Sequence, residues 1–274
     1  MKPLFLILSI HCTLLAFSQS CGNCHLHINA GQSNAVLIED DIEEVWDNTL
    51  RTRNCGYDIF YVVHIGDGGT YINQHLNPNA GHPSAPIGNQ NQGQLWTYNT
   101  DSIQTALNYL NSLGCNNIEI TMSWYQGEAD ANWANSDNTT TYNWYLDALG
   151  YLHNDYASFL GLTELPLFII EINSATNILT FESAVDDAGE DYANANTDVF
   201  YYEIANTGTP SAPIYQAFNN VAGQVQDIYG TGQGVHAKDW FSEQYTIPAL
   251  GTWVEGITGC TNTALPCIRR ISAP

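Results

Sequence analysis

Five short runs of nearly continuous apolar, β-branched and aromatic residues constrain the fold of this 274-residue chain more than any other feature. Such runs are typical of parallel strands that are buried on both faces of a sheet. Helical patterns lie between them, so we predict a three-layer α/β/α sandwich around a parallel sheet. The predicted strands are 25–30, 59–66, 118–125, 165–172 and 198–205.

Three stretches repeat apolar residues at helical spacing. In the first, apolar side chains from Ile103 to Leu113 share one face, Asp101 or Ser102 is the predicted N-cap, and Gly114 is the predicted stop. The predicted helices are 101–114, 142–156 and 213–229. The stretch 67–99 is rich in Gly, Asn, Pro and Gln and lacks periodicity, and loops of that length are uncommon unless they are functional.

The chain begins with the features of a secretory signal peptide. Residues 1–20 combine Lys2, an apolar run and a small, polar exit, which leaves 21–274 as one domain. No other stretch approaches the ~18 apolar residues of a membrane-spanning helix. The formal net charge of -22 argues against nucleic acid or an anionic membrane as a partner. We predict a soluble protein that is secreted or periplasmic; its oligomeric state is left open.

Removal of residues 1–20 leaves six of the seven cysteines. An even number outside the cell predicts disulfides. Those before the first three strands should lie at the amino edge of the sheet, away from any chemistry, and the last two should close a C-terminal loop. The alternative of a metal site in "CGNCHLH" is disfavoured, because His25 and His27 alternate along a predicted strand and no second close pair is near. The six cysteines are Cys21, Cys24, Cys55, Cys115, Cys260 and Cys267.

Polar residues follow several of the predicted strands. Ser33 follows the first strand, Gln126 and Glu128 follow the third, and Asn173 follows the fourth. In a parallel sheet, ligands bind beyond the carboxyl ends of the strands. We therefore expect these four residues to lie at one edge of the sheet.

Three motifs carry a resemblance to a known family: "GQSNA" at 31–35, "WYQGEADA" at 124–131 and "GVHAKDWFSEQYTIPALG" at 234–251. They resemble the signatures of the sialate O-acetylesterase-like and family 6 carbohydrate esterases, a branch of the SGNH hydrolases. The similarity spans roughly residues 25–255. It implies the SGNH hydrolase fold, with a parallel flavodoxin-like sheet, and an esterase that requires no metal or cofactor.

The resemblance assigns the catalytic residues. Ser33 matches the nucleophile and His236 the general base, since a serine hydroxyl is a weak nucleophile until a base takes its proton. The family often has an Asp three residues before this histidine, where this chain has Gln233. In other members the triad acid is ascribed to the Glu of the Q-G-E motif, which is Glu128 here. Weaker candidates for the acid are Asp239 and Glu203.

The tetrahedral intermediate of acyl transfer needs hydrogen-bond donors for its oxyanion. The resemblance implies Gln126 beside the oxyanion and the Ser33 N–H as another donor. A glycine of the long loop should supply a further N–H, and Gly88 and Gly93 are equally good candidates.

Substrate contacts are predicted for Gln32 and Asn34, which flank Ser33, and for Trp124 and Tyr125. Aromatic faces suit sugar rings, although such residues are as often part of the core. Further aromatic residues predicted near the same edge are Trp96, Tyr98 and Trp133.

The leading hypothesis is a secreted esterase that removes O-acetyl groups from an acetylated polysaccharide or sialic acid. One alternative is a carbohydrate-binding pseudoenzyme, which the missing Asp at Gln233 favours. Another is a general SGNH lipase or thioesterase, but this should carry an apolar lid, and the loop at 67–99 is polar.

Overall fold

A parallel five-stranded sheet forms the centre of the molecule. The computed structural model describes residues 23–38, 42, 59–86, 91–132, 136–172, 179–202 and 247–258. The strands are β1 (Asn23–Gly31), β2 (Ile59–Gly66), β3 (Asn117–Tyr125), β4 (Leu167–Ile170) and β5 (Val199–Tyr202). Their order is β2-β1-β3-β4-β5, with every pair parallel. This is the flavodoxin-like order of doubly wound proteins, and it confirms the predicted fold class.

Helices of very different length connect the strands. They are α1 (Ser33–Leu37), α2 (Trp96–Ser112), α3 (Glu128–Ala131), α4 (Asn138–Leu160), α5 (Glu182–Ala195) and α6 (Ile247–Thr258), with a 3₁₀ turn at Ile72–His75. Within the described part of the chain, no helix has the length and apolar character needed to cross a membrane.

The helices lie on both faces of the sheet, which makes the three predicted layers. On one face, Leu26 and Ile28 belong to a core that includes Ile103 of α2 and Leu149 of α4. Helix α5 packs on the same side, against α4. Helices α1 and α6 lie on the other face, where the ring of Trp253 packs 5.2 Å from that of Phe168.

The strand predictions hold well for β1 to β3, which agree with the structure to within a residue or two at each end. Helix α2 begins at Trp96, so the prediction of Asp101 or Ser102 as its cap is wrong. The physical reason is that its hydroxyl residues bond back into the helix: Thr100 and Ser102 donate to the Trp96 and Tyr98 carbonyls, at 2.8 and 2.9 Å.

The second predicted helix, 142–156, lies inside the longer α4. Asp137 caps its start by accepting the Thr140 N–H at 2.9 Å, and Gly161 ends it in the left-handed conformation. Helix α5 was not predicted, because the side chains on its buried face include small ones such as Ala184 and Ala188. The third predicted helix, 213–229, lies outside the described residues.

A disulfide joins Cys24 and Cys115 at the amino ends of β1 and β3, with Cα atoms 5.8 Å apart. This confirms a disulfide at the predicted edge; the other four cysteines of residues 21–274 lie outside the described residues. Because the Cys24 sulfur is bonded to Cys115, it is no metal ligand. Across the residues described here, no cluster of His, Cys, Asp or Glu is arranged to hold a metal ion.

Candidate active site

The junction between β1 and α1 is so tight that only glycine fits at position 31. Gly31 has a φ of 140°, and a Cβ there would lie 2.2 Å from the Tyr125 carbonyl oxygen. That same carbonyl accepts the Gln32 N–H at 3.0 Å. The close approach places Ser33 as the first residue of α1, at the carboxyl end of β1.

A second glycine shapes the end of β3 in the same way. Gly127 has a φ of 149°, and a Cβ there would lie 2.6 Å from Val185 Cγ1. Helix α3 starts immediately afterwards, at Glu128. Since β1 and β3 are neighbours in register, with Gly31 beside Tyr125, the two motifs meet at the carboxyl edge of the sheet.

Two contacts join α1 to α3. The Asn34 Nδ2 group donates a short hydrogen bond to Glu128 Oε1. Gln32 Oε1 accepts the Ala129 N–H at 3.3 Å. The structure therefore brings the neighbours of Ser33 into contact with Glu128, at the edge that the strand order predicts.

Glu128 is a buried carboxylate, 3% exposed. Burial raises its pKa from 4.5 to about 7, although hydrogen bonds, including that from Asn34, oppose the shift. Among the described residues, its Oε2 atom has no hydrogen-bond partner. An unpartnered buried acceptor is costly, so a donor that reached Oε2 would be stabilising.

Asp130, two residues further along α3, is a second buried carboxylate. Burial raises its pKa to about 7 as well. Unlike Glu128, it is well partnered, because its Oδ2 accepts the Ile72 N–H at 3.1 Å and the Gln126 Nε2 at 2.5 Å. Asp130 therefore ties the start of the long loop to the site. The family resemblance assigns no role to Asp130, although this residue closes the Q-G-E-A-D segment.

Gln126 has both amide hydrogens engaged. They go to the Thr70 carbonyl at 2.9 Å and to Asp130, while the Tyr145 hydroxyl donates to the Gln126 carbonyl at 2.5 Å. The side chain has no hydrogen left for an oxyanion. The structure thus gives no support to the predicted oxyanion role of Gln126, which braces the loop here.

Of the two candidate glycines in the long loop, only Gly93 lies within the described residues. The Gly93 N–H donates to the Asn73 carbonyl at 2.9 Å, so the structure gives no support to its predicted role as an oxyanion donor. Gly88 lies outside the described residues and remains a prediction. The loop is also anchored at a distance from the site, where Asp155 accepts from the Asn77 N–H at 2.7 Å and contacts His82 Nε2 at 2.8 Å.

Trp124 and Tyr125 are buried, with 0% and 1% exposed. Trp124 donates to the Tyr145 hydroxyl at 3.2 Å and packs edge-on against His75. Both side chains belong to the core, so the structure gives no support to their predicted substrate contacts. Tyr98 is exposed and Trp96 half-buried, and the substrate contacts of Gln32 and Asn34 stay predictions.

Several predicted residues lie outside the described part of the chain, so their roles stay predictions. They are His236, Gln233, Asp239, Glu203, Asn173 and Trp133.

Solved structures share this fold. A protein from Arabidopsis thaliana aligns with a TM-score of 0.55 and 13% identity, over 87% of this chain and 99% of its own. NanS aligns with a TM-score of 0.53 and 12% identity, over 87% and 98%. A carbohydrate esterase family 3 structure from Talaromyces cellulolyticus has a TM-score of 0.48 and 9% identity, over 87% and 98%.

No protein-family model matches the sequence, and no curated protein matches it either. At the identities of these structural neighbours, the likeness concerns the fold alone. The two structures with TM-scores above 0.5 confirm the α/β architecture that the sequence predicts.

Proposed function

We propose that this protein is a secreted serine esterase that removes O-acetyl groups from carbohydrates. The observation that carries the proposal is the arrangement of the two motifs at the carboxyl edge of the sheet. Ser33 begins α1 there, and the next residue, Asn34, binds the buried carboxylate of Glu128. The Cys24–Cys115 disulfide supports the extracellular location.

The proposed reaction is acyl transfer in two steps. Ser33 Oγ attacks the acetyl carbonyl carbon while His236 takes the hydroxyl proton, and the Ser33 N–H donates to the oxyanion. Collapse of the intermediate breaks the ester bond, and His236 returns the proton to the sugar oxygen. Water then attacks the acetyl-Ser33 ester as His236 takes its proton, which goes back to Ser33 as acetate leaves.

Glu128 is the proposed triad acid. His236 gains a positive charge in each step, and an amide at position 233 cannot stabilise that charge. The Glu128 carboxylate has one oxygen held by Asn34 and another without a described partner, so it can accept a ring N–H. An imidazolium beside it would favour the ionised carboxylate and offset the rise in pKa that burial causes.

The first prediction concerns Ser33. Ser33→Ala should lower kcat on 4-nitrophenyl acetate by several orders of magnitude, because the nucleophile is lost. A serine-reactive phosphonate should label Ser33 in the wild type, as mass spectrometry of its peptides will show. Labelling at another serine, or full activity of the variant, would contradict the assignment.

A panel of acetylated xylan, acetylated sialic acid and longer acyl esters then defines the substrate. Preference for acetylated sugars supports the carbohydrate esterase, and preference for long acyl chains favours a lipase or thioesterase. If the wild type binds sugars but hydrolyses no ester, the protein is a carbohydrate-binding module.

The second prediction concerns Glu128. Glu128→Gln keeps the shape and removes the charge, so kcat/KM should fall by roughly 10²–10⁴ while the fold is retained. Gln233→Asp should recover part of that loss in the double variant, since it restores a carboxylate near the histidine.

Asp130→Asn is the matched control for Glu128→Gln. It neutralises a carboxylate on the same helix with a similarly raised pKa, but one whose described partners are Ile72 of the loop and Gln126. Its loss of activity should be less than about tenfold. Equal losses in the two variants would show that general destabilisation, and not a triad acid, explains the effect of Glu128→Gln.

A further inference from the structure

A chain of hydrogen bonds runs from the start of β1 to α1, on the face of the sheet that helices α1 and α6 cover. Its members are buried side chains of β1 and β3. The links are His25 Nε2 to Thr121 Oγ1 (2.8 Å), Thr121 Oγ1 to His27 Nδ1 (2.9 Å), His27 Nε2 to Ser123 Oγ (3.0 Å), Ser123 Oγ to Asn29 Oδ1 (3.1 Å) and Asn29 Nδ2 to the Ala35 carbonyl (2.8 Å).

The direction of the chain is fixed at its α1 end. The Ala35 carbonyl only accepts, so the Asn29 amide must turn its NH₂ group toward it. The Asn29 Oδ1 atom then faces Ser123, whose hydroxyl must donate to it. Because a hydroxyl has one hydrogen, Ser123 Oγ must accept from His27.

The remaining hydrogen bonds, from His27 back to the start of β1, also have a fixed direction. His27 donates from Nε2, and burial lowers its pKa well below 6.5, so the ring is neutral and its Nδ1 accepts. Thr121 therefore gives its hydrogen to His27, and its oxygen accepts from the Nε2–H of His25. All the bonds along the chain run in one direction, toward α1.

Asn29 is where this chain meets the helix that carries Ser33. Its second amide hydrogen points to His64 Nδ1, at 3.1 Å, so Asn29 links β1 to β2 and β3 as well as to α1. Carbonyls in the last turn of a helix lack intrahelical donors, and Ala35 belongs to a helix of only five residues. A flipped Asn29 amide would set Oδ1 against the Ala35 carbonyl, so that two acceptors face each other.

We propose that Asn29 is a positioning residue for Ser33, and that the chain through Ser123, His27 and Thr121 holds its amide in one orientation. The role of Ser33 rests on the proposed function, whereas the direction of the chain does not. The inference predicts the tautomer of each ring: His25, His27 and His64 all carry their proton on Nε2.

The third prediction is tested first without any assay of activity. Long-range ¹H–¹⁵N correlation spectra of the wild-type protein at pH 7 should show three neutral Nε2–H rings at His25, His27 and His64. A proton on Nδ1 of His27, or a cationic His27, reverses a link of the chain and overturns the proposal.

The positioning role is tested with a matched pair at Ser123. Ser123→Ala removes the hydroxyl, and Ser123→Thr keeps it. In the alanine variant, the amides of Val36 and Ile38 in and after α1 should exchange with solvent about tenfold faster, and kcat on an acetyl ester should fall with KM unchanged. The threonine variant should return both measurements toward the wild type.

The outcomes separate the two proposals. Unchanged exchange at α1 and unchanged kcat in Ser123→Ala overturn the positioning role of Asn29, even if the wild type is an esterase. If the wild type hydrolyses no ester, the proposed function fails. The histidine tautomers and the amide exchange at α1 still decide whether the hydrogen-bonded side chains hold that helix.

Discussion

Both faces of β1 from Cys24 onward and of β3 from Thr121 onward are buried, but the two faces are chemically opposite. On one face, Ile28 and Met122 pack into the apolar core between the sheet and helices α2 and α4. On the other, His27, Thr121 and Ser123 lie at 0–1% exposure and bond to one another. Contacts between apolar side chains are not directional, whereas each buried donor needs an acceptor and each buried acceptor needs a donor. We infer that the apolar face stabilises the fold, whereas the polar face restricts its side chains to a single arrangement of hydrogen bonds.

The fourth prediction tests that difference with one substitution on each face. Ile28→Ala leaves a cavity in the apolar face and should lower the free energy of unfolding by about 3 kcal/mol. Thr121→Val preserves the shape and removes the hydroxyl between His25 and His27, which should cost about 1–2 kcal/mol. Urea unfolding followed by circular dichroism measures both.

Ile28→Val is the control for the apolar face, because it removes only one methylene and should cost about 1 kcal/mol. If Thr121→Val destabilises the protein more than Ile28→Ala does, the polar face carries stability as well, and the contrast between the faces fails.

The sequence predicts the fold well because parallel strands that are buried on both faces have a recognisable pattern of nearly continuous apolar residues. It predicts less well where polar residues are buried. In "HLHINA", histidines alternate with apolar residues, a pattern that usually indicates one solvent-facing side. Here helices α1 and α6 lie over that side, and neither helix is visible from a strand pattern. The hydrogen-bonded chain from His25 to Asn29 could therefore not be foreseen.

At the candidate active site, too, the sequence does not reveal how the polar groups are paired. The motifs correctly bring Ser33 and Glu128 to one edge, because strand order determines where strand ends meet. For the predicted oxyanion donors Gln126 and Gly93, the hydrogens are already engaged by Thr70, Asp130 and Asn73. A motif gives the type of a residue, but which donors are already engaged depends on loop contacts that are distant in sequence.

Protonation of His64 and protonation of Glu128 have opposite effects on the stability of the native protein. Burial lowers the pKa of His64 from 6.5 to about 4, so between these values the unfolded chain binds the proton and the native protein does not. Stability then falls as the pH falls. Burial raises the pKa of Glu128 to about 7, so the native protein takes up that proton first, and stability rises as the pH falls from 7 to 4.5.

The fifth prediction uses this opposition. His64→Gln keeps an acceptor for the Asn29 amide and removes the titration, so its unfolding free energy should decline less steeply between pH 6.5 and 4, by about 1.4 kcal/mol per pH unit. Glu128→Gln should do the reverse, with a steeper decline below pH 7, since it removes the group that stabilises the native protein on protonation. Urea titrations at half-unit pH steps, each referred to the same variant at pH 8, isolate the two slopes. A steeper decline in His64→Gln than in the wild type would mean that His64 becomes charged in the native protein, and a charged His64 donates from Nδ1 and cannot accept from Asn29. A shallower decline in Glu128→Gln would mean instead that the native Glu128 carboxylate stays ionised, as it would beside the His236 imidazolium.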